Sequence, residues 1–375
     1  MNSAERRAAR RERRDDEREA KRNKTISKYD DFSLVTDPDN LRAAFKKSKR
    51  GVSWKESVQR HEMNLLRNIS DTRNKLINGE NVTHGFVEFN IMERGRPRHI
   101  KSVHISERIV QKCLCDQVLV PIISRSLIHD NGASLKRKGL HFAVKRLICH
   151  LSKFYRKKGF SNEGYCLSID FSRFFDNIRH DMLFGMQERI INDEKIRKLI
   201  REFIAPFGEG ISLGLGSQVS QISAIFYPTR MDHFVKEILG IKYYGRYMDD
   251  LYIIHRDKKY LEHCLSEVIK ICEPLGITIN RKKTKIVKLK DGIKFLKGVY
   301  ALCENGAIIR RASPESRKRM RRKLNKFKRL LEQGKMSFND VYIAYQSWRG
   351  GYTKRFQSYH TVKRMDKLYD DLFIT

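Results

Sequence analysis

Two stretches of this chain carry carboxylates in settings that could do chemistry. Cys166-Leu167-Ser168-Ile169-Asp170-Phe171 reads as an apolar strand ending in Asp170, and Tyr247-Met248-Asp249-Asp250 reads as the tip of a hairpin over 242–255. Carboxylates at a strand end and at a hairpin tip can converge when the strands are neighbours. Three that close repel unless cations lie between them. Oxygen-only ligands select hard ions such as Mg²⁺. Two such ions roughly 3.5–4 Å apart can clamp the attacking and leaving oxygens of an in-line phosphoryl displacement. An isolated Asp-Asp pair is more often an ordinary hairpin turn. Here apolar strands lead in and out, a second strand-end Asp lies upstream, and the chain is strongly basic.

That basicity is large: Lys+Arg 78 against Asp+Glu 44 gives +34 over 375 residues. The fitting partner is a polyanion, of which nucleic acid is the commonest. With 40% hydrophobic and 33% charged residues, collagen-like and wholly disordered chains are excluded. No apolar run approaches the ~18 residues of a membrane span, so no membrane role is expected. Seven cysteines, none in a CxxC pair, speak against a zinc ribbon or a thioredoxin-type site and read as small core residues of a reducing compartment. The charged N-terminus has no signal-peptide core, and a cytoplasmic protein is expected.

The positioning elements follow from the pattern. Residues 1–24 read as a solvated helix or disordered arm, 40–80 as helical, and 85–105 as a basic hairpin turning at Gly95-Arg96-Pro97. Residues 106–127 and 139–158 read as helices flanking a basic, glycine-flanked loop at 131–139. The apolar spacing of 218–238 predicts a helix kinked at Pro228. Leu261 to Cys272 mark an amphipathic helix, followed by a strand at Ile277-Thr278-Ile279. Ser313-Pro314 reads as the cap and first position of a basic helix ending at Gly334.

With these elements in place, the sequence resembles the reverse transcriptases over roughly 85–335. Tyr247-Met248-Asp249-Asp250 matches the YxDD motif, and Ile169-Asp170-Phe171 with Phe174-Phe175-Asp176 matches the first catalytic motif. Leu215-Gly216-Ser217-Gln218-Val219-Ser220-Gln221 stands where the family has its substrate-contacting loop. Leu275-Gly276-Ile277 through Lys282-Lys283-Thr284-Lys285, then Phe295-Leu296-Lys297-Gly298, match the two motifs that follow, although Lys297 interrupts the usual FLGY. The resemblance implies an α+β right-hand polymerase: fingers, a palm with an antiparallel sheet, and a helical thumb. It divides the chain into a charged arm (1–28), N-terminal helices and fingers (29–160), palm (161–303), and basic thumb with C-terminal tail (304–375).

Residue roles follow from the resemblance. Asp170, Asp249 and Asp250 are the implied metal ligands, with the Phe171 backbone carbonyl beside them. Arg98 matches the fingers arginine that meets the triphosphate, Phe175 the aromatic gate against a ribose 2′-hydroxyl, and Gln221 the glutamine against the incoming nucleotide. Phe295 to Tyr300 is the implied primer grip. Lys138, Arg317, Arg321 and Lys328 are candidate nucleic-acid contacts. The implied cofactors are two Mg²⁺ ions, with Mn²⁺ as a substitute.

The SQ form of the loop, Lys138-Gly139-Leu140-His141, and Arg98 to Gln111 resemble the bacterial diversity-generating retroelement enzymes. Defence-associated reverse transcriptases, bacterial or phage-encoded, share this layout and stay open as an alternative. A non-catalytic RNA-binding protein with a relict polymerase fold is the third reading, which the intact aspartates oppose. No NAxxH or VTG element of a typical retron enzyme is present. The sequence beyond the thumb is too short for an RNase H, integrase or HNH domain, so no such domain is expected. Implied partners are an RNA template, a DNA or RNA primer, dNTPs, a dedicated non-coding RNA, and either a small accessory protein or a second copy. The tail aromatics Trp348, Tyr352, Phe356 and Tyr359 either stack on bases or pack the thumb.

Overall fold

Leu41, Phe45, Val58 and Ile69 are spaced for helices that share one core, and they meet in it. The computed structural model describes residues 3–93, 96–157 and 159–374. They divide into two units, one of Met1–Gly139, Phe171–Ile238 and Glu267–Thr278, the other of Leu140–Asp170, Leu239–Ser266 and Ile279–Thr375. Among the described residues no helix is long and apolar enough to cross a membrane.

In the first unit the charged arm is a helix, Ser3–Tyr29. The 40–80 stretch becomes three helices, Pro38–Ser48, Glu56–Met63 and Leu65–Ile77. The first starts where Asp37 accepts the N–H groups of Asp39 and Asn40. Ile105, Ile109 and Cys113 of the helix Ile105–Leu114 complete their core. That helix continues through a π turn, Cys115–Leu119, to Ile123, short of the expected 127.

The basic hairpin forms as β1 (Phe86–Glu93) and β2 (Arg96–Val103), antiparallel, with Phe86 opposite Val103 and Glu93 opposite Arg96. Arg96 and Pro97 therefore lie in β2 and not in the turn; Arg94 and Gly95 lie outside the described residues. Proline is tolerated there because a two-stranded ribbon is all edge. Pro228 breaks the 218–238 helix as expected, into Gln218–Phe226, Thr229–His233 and a π turn at Phe234–Ile238. The expected strand at Ile277-Thr278-Ile279 does not form. Gly276, at φ +67°, reverses the chain after the 3-10 turn Glu273–Leu275, and the segment is left with one bridge residue, Ile279, flanked by the Thr278 carbonyl, which accepts from Ser172 N–H at 2.7 Å, and the Asn280 N–H.

The second unit is built on an antiparallel sheet in the order β4-β5-β3-β6, where β3 is Tyr165–Asp170, β4 Tyr243–Tyr247, β5 Asp250–His255 and β6 Lys285–Lys288. The helix Leu140–Lys157 packs Leu147, Leu151 and Phe154 against Cys166, Tyr252 and Ile254. A three-stranded sheet follows: β7 (Ile293–Phe295), β8 (Gly298–Leu302) and β9 (Ile308–Ala312). Three helices close the chain: Pro314–Glu332, Phe338–Thr353 and Tyr359–Phe373. Met320, Leu324, Val341, Tyr345, Met365 and Tyr369 form their core. Ser313 occupies the cap position before Pro314, but its hydroxyl makes no capping bond.

Most of the aromatic tail packs rather than stacking on a ligand. Tyr352 and Phe356 are buried in the sheet core, and Trp348 packs beside them with its indole N–H on Ser316 Oγ at 3.3 Å. Tyr359, 73% exposed, is the exception.

Candidate active site

β3 is apolar on both faces, with Cys166, Leu167 and Ile169 buried, so it must lie inside a sheet; Tyr165, Ser168 and the terminal Asp170 are half-buried. Its register with β5 sets Asp170 directly opposite Asp250. β4 and β5 pair through Tyr247 and Asp250, leaving Met248 and Asp249 as a two-residue loop at the hairpin tip. Asp170, Asp249 and Asp250 thus come to one end of one sheet. Backbone bonding ends β3 there: the Asp170 carbonyl accepts from Asn280 N–H at 2.8 Å.

The hairpin is held by two residues whose part is hidden in the sequence. Arg246 is 1% exposed, and its Nη1 donates to the Met248 carbonyl at 3.3 Å. Met248 itself sits at φ +55°, a conformation that side chains with a Cβ rarely adopt. The guanidinium anchors the very peptide that this turn strains, which places stored backbone strain at the carboxylate tip. Gly245 is required by close approach: a Cβ there would meet the Tyr252 hydroxyl at 2.6 Å.

Lys283 faces Asp170. Its Nζ lies 3.0 and 2.9 Å from the two oxygens of Asp170. The ammonium is 59% exposed and the carboxylate 15%. So open an ion pair contributes about 0–1 kcal/mol. Its chemical meaning is larger than its energy: a cation already occupies the position in front of Asp170. The donor set is all oxygen, which suits a hard divalent ion. Among the described residues no three His, Cys, Asp or Glu side chains yet converge closely enough to hold one. Cys166, behind Asp170 on β3, is no ligand: burial pushes its thiol up to about 12 and keeps it protonated.

The candidate nucleotide contacts belong to the first unit. Arg98 lies on β2 opposite Ile91. Phe171 is buried and its ring packs 5.4 Å from that of Phe174. Phe174 is buried and Phe175 half-buried, and they lie on a helical turn (Phe174 φ −53°, ψ −49°, then a 3-10 turn Phe175–Asn177) instead of an extended segment. Gln221 is exposed on the first turn of the helix Gln218–Phe226. The loop before that helix stitches these pieces together: Leu213 N–H donates to the Phe175 carbonyl at 2.9 Å, and Lys101 N–H of β2 to the Leu215 carbonyl at 3.3 Å. Gly216, at φ +128°, lets the loop approach β2; a Cβ there would meet the Lys101 carbonyl at 2.3 Å.

The candidate nucleic-acid contacts divide. Arg317, Arg321 and Lys328 are exposed on the helix Pro314–Glu332. Lys138 instead turns its ammonium onto the His129 carbonyl at 2.9 Å.

Comparison with known proteins fits this geometry. No curated protein matches the sequence. Among solved structures, telomerase from Candida albicans in complex with a fragment of telomeric RNA is similar, with 15% identity, TM-score 0.48, and coverage of 68% of this chain and 51% of that one. Apo telomerase from Candida tropicalis, truncated from its C-terminal domain, gives 13% identity and TM-score 0.46 over 60% of this chain and 54% of that one. This chain thus spans about half the length of those telomerases. The family model for reverse transcriptase (RNA-dependent DNA polymerase) matches residues 94–299, more than half of the chain and inclusive of all three aspartates. The fold class is that of the right-hand polymerases, and the chain belongs to the reverse transcriptase family, the RNA-dependent DNA polymerases.

Proposed function

We propose that this chain copies an RNA template into DNA from dNTPs, with Asp170, Asp249 and Asp250 holding two Mg²⁺ ions. The observation that carries the reading is the register of β3 and β5, which sets Asp170 against Asp250 beside the Met248-Asp249 tip, with a lysine cation already on Asp170. Members of the family use divalent metal ions. Bound there, such ions would neutralise charge on the attacking and leaving oxygens of phosphoryl transfer. The chain's own share is placement. Arg246 fixes the tip, the Asn280 N–H fixes the end of β3, and Lys283 offsets the repulsion between facing carboxylates. Arg98, Phe175 and Gln221 take the triphosphate, gate and nucleotide roles, and Arg317, Arg321 and Lys328 contact the RNA. Fingers, palm and thumb correspond to 29–160, 161–303 and 304–375.

Asp170→Ala and Asp249→Ala each remove a ligand, and primer extension on an RNA template should fall by several orders of magnitude. RNA binding should persist, since it rests on Lys and Arg. Wild-type extension by the Asp249 variant would refute the site.

The biological setting is a diversity-generating retroelement reading a dedicated RNA, on the strength of Ser220-Gln221 in the loop and Lys138-Gly139-Leu140-His141. A template and variable repeat pair beside the gene supports it. A structured non-coding RNA without such repeats points instead to phage defence.

A further inference from the structure

Gln111 is 1% exposed, and its side-chain amide makes three hydrogen bonds. Its Oε1 accepts from Ser217 Oγ at 2.9 Å and from Gln218 N–H at 3.2 Å. Its Nε2 donates to Glu107 Oε1 at 2.9 Å, and the other oxygen of Glu107 accepts from His84 N–H at 3.2 Å. Ser217, fully buried, in turn caps the helix that carries Gln221, accepting Ser220 N–H at 3.2 Å. One amide therefore joins three things: the loop before the Gln221 helix, the start of that helix, and the buried carboxylate of Glu107, which in turn holds the His84 N–H two residues before β1. Burial drives the Glu107 carboxyl above the ordinary range, so this is a costly place for a charge, and every bond to it matters.

We propose that Gln111 is a positioning residue for the incoming nucleotide. It sets the 213–217 loop, and through it the angle at which Gln221 is presented. The inference rests on the reading of this loop as nucleotide-facing. Gln111 touches no substrate. Its effect passes through the Ser217 cap, and a helix whose first turn shifts carries Gln221 with it. The ties to Phe175 and Lys101 are backbone bonds that side-chain truncation does not remove, and the Gly214 N–H bond to Ser212 Oγ at 3.4 Å is local to the loop. Gln111 is the side chain on which the placement turns.

Gln111→Met keeps the volume and removes all three side-chain bonds. In steady-state extension below the melting point of both proteins, KM for dNTP should rise about tenfold, the size of one lost hydrogen bond of about 1.4 kcal/mol. The kcat at saturation and the RNA Kd should hold. Gln111→Glu should do no better, because two buried carboxylates would then face each other. Adding Glu107→Gln to it rebuilds the network in mirror form: the carboxylate at 111 accepts from Ser217 and Gln218, and the amide at 107 donates to it while accepting from His84. This double variant should recover the wild-type KM.

Gln221→Ala separates the inference from the reading beneath it. A raised KM in Gln221→Ala with a wild-type KM in folded Gln111→Met overturns the positioning role alone. Unchanged KM in both means the loop does not meet the nucleotide, and both fall. Loss of kcat and RNA affinity along with KM in Gln111→Met overturns the role too, since it marks general unfolding.

Discussion

Phe174 and Phe175 are neighbours of one type whose surroundings give them different work. Their rings are 5.9 Å apart at 83°, an edge-to-face pair. On a 3-10 turn successive side chains diverge by roughly 120°, which sends Phe174 into the core and leaves Phe175 half-buried. Neighbours in an extended segment would also point opposite ways; here a helical turn does the separating. Phe175→Val should admit ribonucleotides far better while keeping dNTP incorporation, whereas Phe174→Val should cost about 2–3 kcal/mol of stability by opening a cavity. Single-nucleotide extension with rNTP and dNTP checks the first, and denaturant melts the second. A wild-type rNTP/dNTP ratio in folded Phe175→Val would remove Phe175 from the gate.

At the level of elements, the β7–β8 hairpin shows where local sequence and fold conflict. Phe295 pairs with Gly298, so Leu296 and Lys297 form the two-residue loop, at φ +46° and +69°. Such loops favour Asn-Gly. A left-handed residue with a Cβ costs about 1–2 kcal/mol, part of which glycine returns as chain entropy. Lys297→Gly should therefore stabilise the protein by up to about 1 kcal/mol, read as a higher denaturant midpoint at unchanged m-value.

The hairpin bearing Asp249 and Asp250, the strand ending at Asp170 and the break at Pro228 were legible because hydrophobic period and turn chemistry are local signals. Arg246 and Lys283 were not. The sequence shows a basic residue in a strand and one lysine among several, and only tertiary packing says which carbonyl or carboxylate each one meets. Gln111 hid for the same reason, since the loop partners Ser217 and Gln218 lie over a hundred residues away. The strand expected at Ile277–Ile279 shrinks to the single bridge residue Ile279, because Gly276 reverses the chain immediately before it and three residues are too few to carry a ladder.

For the whole molecule the governing quantity is charge, +34 in 375 residues. On the helix Pro314–Glu332, Met320 and Leu324 are buried while Arg317, Arg321 and Lys328 face out, so the basic groups are free of the core's demands. RNA affinity should fall steeply with salt as counterions are released, with about 0.9 of log-log slope per neutralised phosphate on a duplex and about 0.7 on a single strand. Reversing the charge at all three positions should flatten that slope by about 2–3. Affinities measured across a salt series test it, and an unchanged slope would place the RNA elsewhere.

The chain has two tryptophans, and they sit in opposite circumstances. Trp54 is 72% exposed. Trp348 lies against both hydrophobic cores of the second unit, stacked on Tyr345 at 5.8 Å. Their emission is therefore separable by wavelength and by access to a soluble quencher. In a Trp54→Phe background the remaining indole becomes a native optical probe of the seam between the sheet core and the helical bundle. Its spectrum follows any ligand that loosens or tightens that seam, with no dye attached.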